Sequence, residues 1–398
     1  MRLRHRDGQR VHLSYCTNVH PAEDFAGIVA QLDTYAVRVR ERLGADLLGL
    51  GLWLPAPVAA ELATRARLRR QLRAELDARG LEVVTLNGFP YRSFHAPVVK
   101  QAVYHPDWTT PERLDYTLDL ARVLLDLMPD DATRGSISTL PFAWRQPWEP
   151  PQAGAAERVL ERLATGLARM AWETGRAVRV AVEPEPGCVV ESTEQAVRHL
   201  AAIDTDRIGV CLDLAHLACA WEDPRQAVGR LRAAGIPVVK VQVSAALEAA
   251  DPVAAAGTLR EYVEPRFLHQ TRSAATATAA DPADPACAAD DLDEALDRGL
   301  SGGAWRVHYH VPLHAAPMPP LTATIPVLQG ALSELVGGPT ALCDHLDVET
   351  YTWGVLPPAR RPDGAAALAD GIAAELAFAR DTLVDLGLSE TAPSGARA

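Results

Sequence analysis

A chain of 398 residues, 48% hydrophobic and 23% charged, can bury one large core or two ordinary ones, which excludes fibrous and unstructured classes. Its formal net charge of −12 argues against nucleic acid as a partner, because phosphate binding needs clustered Lys and Arg. The six cysteines (Cys16, Cys188, Cys211, Cys219, Cys287 and Cys343) form no CxxC pair, and three of them fall in apolar runs, a pattern that favours a reduced, cytoplasmic setting. The start, MRLRHRDGQR, lacks the apolar stretch of a signal peptide, and the longest apolar run, residues 47–60, holds two prolines and is too short to span a bilayer.

Taken in order, residues 11–16 read as a first strand that ends in Thr17, Asn18 and His20, after which Phe25, Ile28, Leu32, Val39 and Leu43 recur as a helical stripe. Residues 47–54 form a second strand, and the helix behind it carries Leu62, Ala66, Leu72 and Leu76 and stops at Gly80. The third strand, 82–86, runs into Asn87-Gly88-Phe89-Pro90 and a long aromatic loop; Thr110-Pro111 then opens a helix. A fourth strand at 136–140 is followed by PFAWRQPWEPP, too rich in proline to be helical. A helix with Val159, Leu163, Leu167 and Met170 leads to strands five and six at 179–182 and 208–212, and PVVKVQV at 237–243 is the seventh. An insertion occupies about 245–338; its stretch 273–289 is Ala, Asp, Thr and Pro with almost nothing to bury, so a mobile surface excursion is expected there. Residues 341–351 make the eighth strand, 365–386 the closing helix, and 389–398 a disordered tail.

Eight strands alternating with helices, about thirty residues apart where nothing intervenes, point to an α/β fold: a (β/α)₈ TIM barrel with elaborated loops, one domain over 1–388. A doubly wound open sheet is the alternative, weakened because no GxGxxG follows a strand.

The chemistry gathers where strands end in acids rather than turns. Strand five ends in Glu183-Pro-Glu185-Pro, strand six in Asp213 with His216 three residues on, and strand eight in Glu349. In a barrel these residues share the mouth at the C-terminal ends of the strands. Carboxylates with an imidazole suit Mn²⁺, Zn²⁺, Mg²⁺ or Fe²⁺, and singly each acid could equally be paired with a neighbouring Arg. Of the two glutamates, Glu183 is taken as the inward one because it directly ends the apolar run. Trp53, Phe89, Tyr91, Phe142, Trp144, Tyr351 and Trp353 also follow strands and are expected to ring the mouth or to cap the core beneath long loops. Asn18, His20, Asn87, His269, His308 and His310 join them as candidate substrate contacts.

VAVEPEP, then GVCLDLAH, then LDVETYTW resembles the xylose-isomerase-like superfamily of sugar isomerases, sugar epimerases and apurinic endonucleases. LSYCTNVHP, YVEPRFLHQ, WRVHYHVPLH and HLDVETYTWGVLP resemble more closely its Ebo-type (EboE) metabolite traffic branch, which is linked to export of a secondary-metabolite precursor. The resemblance implies that Glu183 and Glu349 hold a divalent metal and act as the acid/base pair, that Asp213 is a ligand, and that His216 binds metal or orients substrate. It also implies a histidine on strand seven, where this chain has Gln242 and Ser244 instead. Gln242 would be a poor ligand, so either affinity is weak or His269, His308 or His310 fills in; a histidine satisfied in the core or facing solvent is the commoner case for each. The implied activity is a metal-dependent isomerase or epimerase acting on a small polyol, sugar or related metabolite. A non-catalytic carrier on the same fold is the alternative, and an endonuclease is disfavoured by the acidic charge. The oligomeric state stays open.

Overall fold

The computed structural model describes residues 1–279 and 281–390. Eight parallel strands alternate with helices around a closed barrel: β1 Arg10–Cys16, β2 Leu48–Trp53, β3 Leu81–Asn87, β4 Arg134–Thr139, β5 Ala177–Val182, β6 Ile208–Asp213, β7 Val238–Val243 and β8 His345–Val348. Each pairs with the next in sequence, and β8 closes on β1 with His345 opposite His12 and Val348 opposite Tyr15. Nearly every strand residue is buried, because helices cover the outer face and side chains fill the inner one. The strands therefore read as continuous apolar runs, interrupted only where a polar side chain points along the axis. Close approach explains Gly51: a Cβ there would lie 2.0 Å from the Asp347 carboxylate, which occupies the barrel interior.

Local signals behave as their chemistry dictates. Ser192 accepts from the Gln195 amide and opens the helix Thr193–Leu200 with a full capping box, while Pro111 starts the helix Pro111–Leu127. The stripe after β1 is helical but loosens into a π-turn over Leu32–Ala36.

The insertion differs from expectation. It builds a second, five-stranded sheet in the spatial order Ala288–Ala289, Thr271–Ser273, Trp305–His310, Ala246–Ala249, Thr322–Ala323. Ala246–Ala249 follows directly from β7, so the sheet grows from the rim of the barrel, and His310 lies opposite Ala246. The stretch 273–289 is thus not a free excursion: Ser273, Ala288 and Ala289 are strand residues, and Thr276 and Cys287 are buried. Large apolar side chains are not what holds it. Backbone pairing does, together with the fully buried Arg272, which donates to both oxygens of Glu191 at 2.6 and 3.0 Å. At the chain end, Glu390 and Ser389 pair with Leu3 and Arg4, so these two residues are ordered; the rest of the expected tail lies outside the described residues.

Candidate metal centre and its pocket

β5, β6 and β8 deliver Glu183, Asp213 and Glu349 to one mouth, and the turn after β6 adds His216. Asp213 caps that turn, its Oδ1 accepting from the His216 amide and from Ser244 Oγ, both at 2.8 Å. Glu349 Oε1 accepts from Asn18 Nδ2 (2.7 Å) and Asn87 Nδ2 (2.9 Å), so the turn after β1 and the end of β3 fix its carboxylate. Glu183 and Glu185 both line the cavity. Glu183 Oε1 stands 3.9 Å from His216 Nδ1, and Glu185 Oε1 accepts from the Tyr104 hydroxyl at 2.6 Å. The Glu-Pro-Glu turn therefore does not send its two acids to opposite sides.

His308 and His310 reach the same mouth from the second sheet. Their hydrogen bonds define the tautomers. A carbonyl can only accept, so His216 Nδ1 donates to Pro184 O (2.9 Å) and His310 Nδ1 donates to Glu349 O (2.8 Å). His308 Nδ1 faces Gln270 Oε1 at 2.7 Å; the Gln270 amide is oriented by its donation to Pro186 O, so this ring nitrogen is a donor too. With Nδ1 as the donor, the remaining lone pair of each ring in its neutral form is on Nε2. Those of His216 and His308 face each other at 2.9 Å, and His310 Nε2 finds no hydrogen-bond partner among the described residues. Two lone pairs at that distance repel unless a proton or a metal cation lies between them.

The carboxylates show the same surplus. Glu183 Oε2 and Asp213 Oδ2 accept no hydrogen bond among the described residues, and Asp213 Oδ2 lies 3.8 Å from His310 Nε2. Ligand atoms of Glu183, Asp213 and His216 fall within 4.8 Å of one another, as do those of Asp213, His310 and Glu349, and those of His216, His308 and His310. Imidazoles whose second nitrogen is tied to an oxygen acceptor are the usual form of metal-binding histidine. Burial, reinforced by the charges of Glu349 and Asp213, holds Glu183 well above the usual carboxylate range; burial, then Asp213, lifts Glu349 to about 8. Burial also lowers His310 to about 4 and takes His308 well below its usual value. A divalent cation would reverse the first trend, favouring the carboxylates, and reinforce the second, keeping the imidazoles neutral.

A model of the xylose isomerase-like TIM barrel matches residues 37–257, more than half of the chain. The chain belongs to that family. Three solved structures share the fold: a xylose isomerase-like TIM barrel protein from Mycobacterium smegmatis in complex with magnesium (13% identity, 94% of this chain and 98% of that one, TM-score 0.51), D-allulose 3-epimerase from Methylomonas sp. (11%, 96% and 100%, 0.51) and L-ribulose 3-epimerase (12%, 94% and 95%, 0.50). No curated protein matches the sequence.

Within this barrel family's layout, the other expected residues divide. Asn18, Asn87, Phe89 and Tyr351 line the cavity. Gln242 sits between Asp213 and Asp347 in the barrel ladder, fully buried, and neither polar atom of its amide has a hydrogen-bond partner among the described residues. The remaining aromatic and histidine candidates stand back from the cavity. His20 stacks on Tyr35 at 4.0 Å and meets the Tyr15 hydroxyl, behind β1. His269 bridges Glu264 and His308 O, which makes it a brace for the histidine strand. Trp53 donates to Pro90 O, Tyr91 packs on Tyr116, and Trp353 donates to the buried Glu375. Trp144 lies one ring behind Tyr104 at 4.9 Å, over Gly187, where any Cβ would strike its ring. These are buttresses of the rim. Tyr104 and Gln270 escaped the sequence reading; Gln270 follows His269 in FLHQ just ahead of the strand Thr271–Ser273, where no periodicity singles it out.

Proposed function

We propose that this chain is a divalent-metal-dependent isomerase or epimerase of the Ebo-type branch, acting on a small hydroxylated metabolite. The observation that carries it is the set of converging Nε2 lone pairs on His216, His308 and His310 beside the unpartnered oxygens of Glu183 and Asp213. The unpartnered His310 Nε2, Glu183 Oε2 and Asp213 Oδ2, together with the facing nitrogens of His216 and His308, are the donor set of mixed nitrogen and carboxylate that Zn²⁺, Mn²⁺ or Fe²⁺ takes, with Mg²⁺ the choice if carboxylates dominate. Glu183, Asp213, Glu349, His216 and His310 are the residues to hold it, with His308 at the edge; His310 stands in for the missing strand-seven histidine. The ion, when bound, polarises a hydroxyl or carbonyl oxygen. Glu183 and Glu349 hold or move a proton at the carbon beside it, and Asn18 and Asn87 keep the Glu349 carboxylate aimed. Likeness in fold to a magnesium-bound barrel and to two 3-epimerases supports this reading. So does the position of the Ebo-like segments, since they supply Asn18, Gln270, His308, His310, Glu349 and Tyr351.

The carrier alternative drew its motive from Gln242, and His310 removes that motive. Protein purified without chelator is expected to carry near one equivalent of metal by mass spectrometry and to wash deuterium from solvent into the α-carbon of a hydroxyketone in a substrate panel. Metal with no exchange across the panel returns the carrier reading; neither metal nor exchange sinks the proposal.

A further inference from the structure

The cavity above the acids has two chemically distinct halves. Its floor is polar: the carboxylates, the imidazoles, Asn18 and Asn87. Its walls and roof are Phe89, Phe94, Val99, Val103, Phe267 and Leu268, closed by Tyr351. Phe94, Phe267 and Tyr351 form a triangle of rings with centroids 4.9 to 5.7 Å apart. Phe94, Val99, Phe267 and Trp53 make an apolar cluster of their own, separate from the barrel core. The roof is fastened to the insertion by the amides of Val99 and Lys100, which both donate to Arg266 O at 2.8 Å.

Charge excludes one class of ligand. Lys100 is the only Lys or Arg lining the cavity among the described residues, and its ammonium is already paired with Asp291 and close to Glu264 O. Nothing there answers a phosphate. Hydrogen bonding excludes a second class. A free sugar carries a hydroxyl on nearly every carbon, and each one loses water on entry and needs a partner. Beside the paired Lys100, the polar side chains that the upper half offers among the described residues are the Tyr104 and Tyr351 hydroxyls, and Tyr104 is engaged with Glu185 and Gln270.

We infer that the ligand is an uncharged molecule with two adjacent oxygens at one end, a diol or hydroxyketone, joined to an aromatic or alicyclic body that fills the apolar half. The division of the lining, acids and imidazoles on one side and aromatic side chains on the other, suits a head of that kind joined to a ring. This rests on the metal reading above, because the floor grips adjacent oxygens through the ion.

The test compares two chelators with the same head, acetohydroxamate and benzohydroxamate, titrated by calorimetry into Mn²⁺-loaded protein, with D-fructose and D-fructose 6-phosphate as competitors. Benzohydroxamate should bind at least about 10-fold more tightly, as burial of a phenyl ring predicts, and neither sugar should displace it. Phe267→Ala should erase most of that ratio while acetohydroxamate affinity, the control for an intact floor, holds. Equal affinity of the two hydroxamates on the unaltered chain overturns the inference and makes the aromatic roof simply the core of its own loop, with the metal reading untouched. Better competition by fructose 6-phosphate overturns it as well. Binding of neither hydroxamate overturns the metal reading, and this inference falls with it.

Discussion

Two layers of the barrel interior are equally buried and chemically opposite. In the lower layer Lys240 and Asp347, both fully buried, meet at 2.8 Å, and Ser14 donates to the other Asp347 oxygen at 2.6 Å. Two residues further along the same strands stand Gln242 and Glu349, and with them the upper layer of Glu183, Asp213 and three imidazoles. The lower layer supplies its own counter-charge; the upper layer meets its acids with neutral donors such as Asn18 and Asn87. Burial by itself therefore says little about function. What separates a structural charge from a ligand site is whether the protein provides the partner.

Breaking the lower layer should cost the most stability. Lys240→Met leaves Asp347 buried and unpaired, and a loss of about 3–5 kcal/mol in urea unfolding is expected; the double variant Lys240→Met, Asp347→Leu should recover much of it. Recovery failing in the double variant would point to volume rather than charge. The upper layer should respond in the reverse sense. Asp213→Asn keeps an oxygen for the His216 amide and Ser244 but weakens a ligand, so metal affinity should fall about 100-fold or more, while the metal-free melting temperature holds or rises because three acids no longer crowd one mouth. Undiminished metal content in that variant would return Asp213 to a structural role.

A pH profile sharpens the contrast. Glu349 sits at about 8, Glu185 and the helix-borne Glu375 at about 7, all raised chiefly by burial, and Glu183 is raised as well. Unfolded, these groups release their protons near the ordinary carboxylate value, so between there and pH 8 the folded state holds more protons than the unfolded state. Stability of the metal-free protein must fall as pH rises through that interval. The depressed His308 and His310 act oppositely below about pH 6.5, the ordinary imidazole value. The buried Met1 ammonium, lowered to about 6, opposes the trend up to pH 8, but between about pH 6.5 and 8 the raised carboxylates outnumber it. Melting of metal-free protein should decline across that window, and saturating metal should flatten the slope. The smallest effect is expected from Trp144→Ala: Tyr104 loses its backing ring, and ligand affinity should weaken a few-fold, on the order of 0.5–1.5 kcal/mol for one aromatic pair. Unchanged affinity would confine Trp144 to stability.

The barrel was legible because its strands are buried on both faces and its helices on one, so period and composition separate the two without any partner in view. The acids were legible for a related reason: a charged residue that ends an apolar strand has only the mouth to go to. His308 and His310 were named from their alternation as substrate contacts or a substitute ligand alongside His269, but which of the three reaches the acids was not legible, since that depends on where an insertion of some ninety residues folds back, and nothing local to WRVHYH encodes it. Stretch 273–289 misled for a kindred reason. Small side chains announce no core, while the backbone ladder and the Arg272–Glu191 pair that hold it are distant in sequence. Of the aromatic residues expected after the strands to ring the mouth or to cap the core beneath long loops, Phe89 and Tyr351 line the cavity, while Tyr91, Phe142, Trp144 and Trp353 pack into or against the main core.

The locks on His216 and His310 are carbonyls of the main chain, at Pro184 and Glu349. Main-chain acceptors survive side-chain replacement. In Glu349→Gln the carbonyl that orients His310 is still there, so the ring keeps its tautomer and its aim, and whatever binding is lost reports the carboxylate alone. The centre can thus be dismantled one donor at a time, with the rest of its wiring left in register.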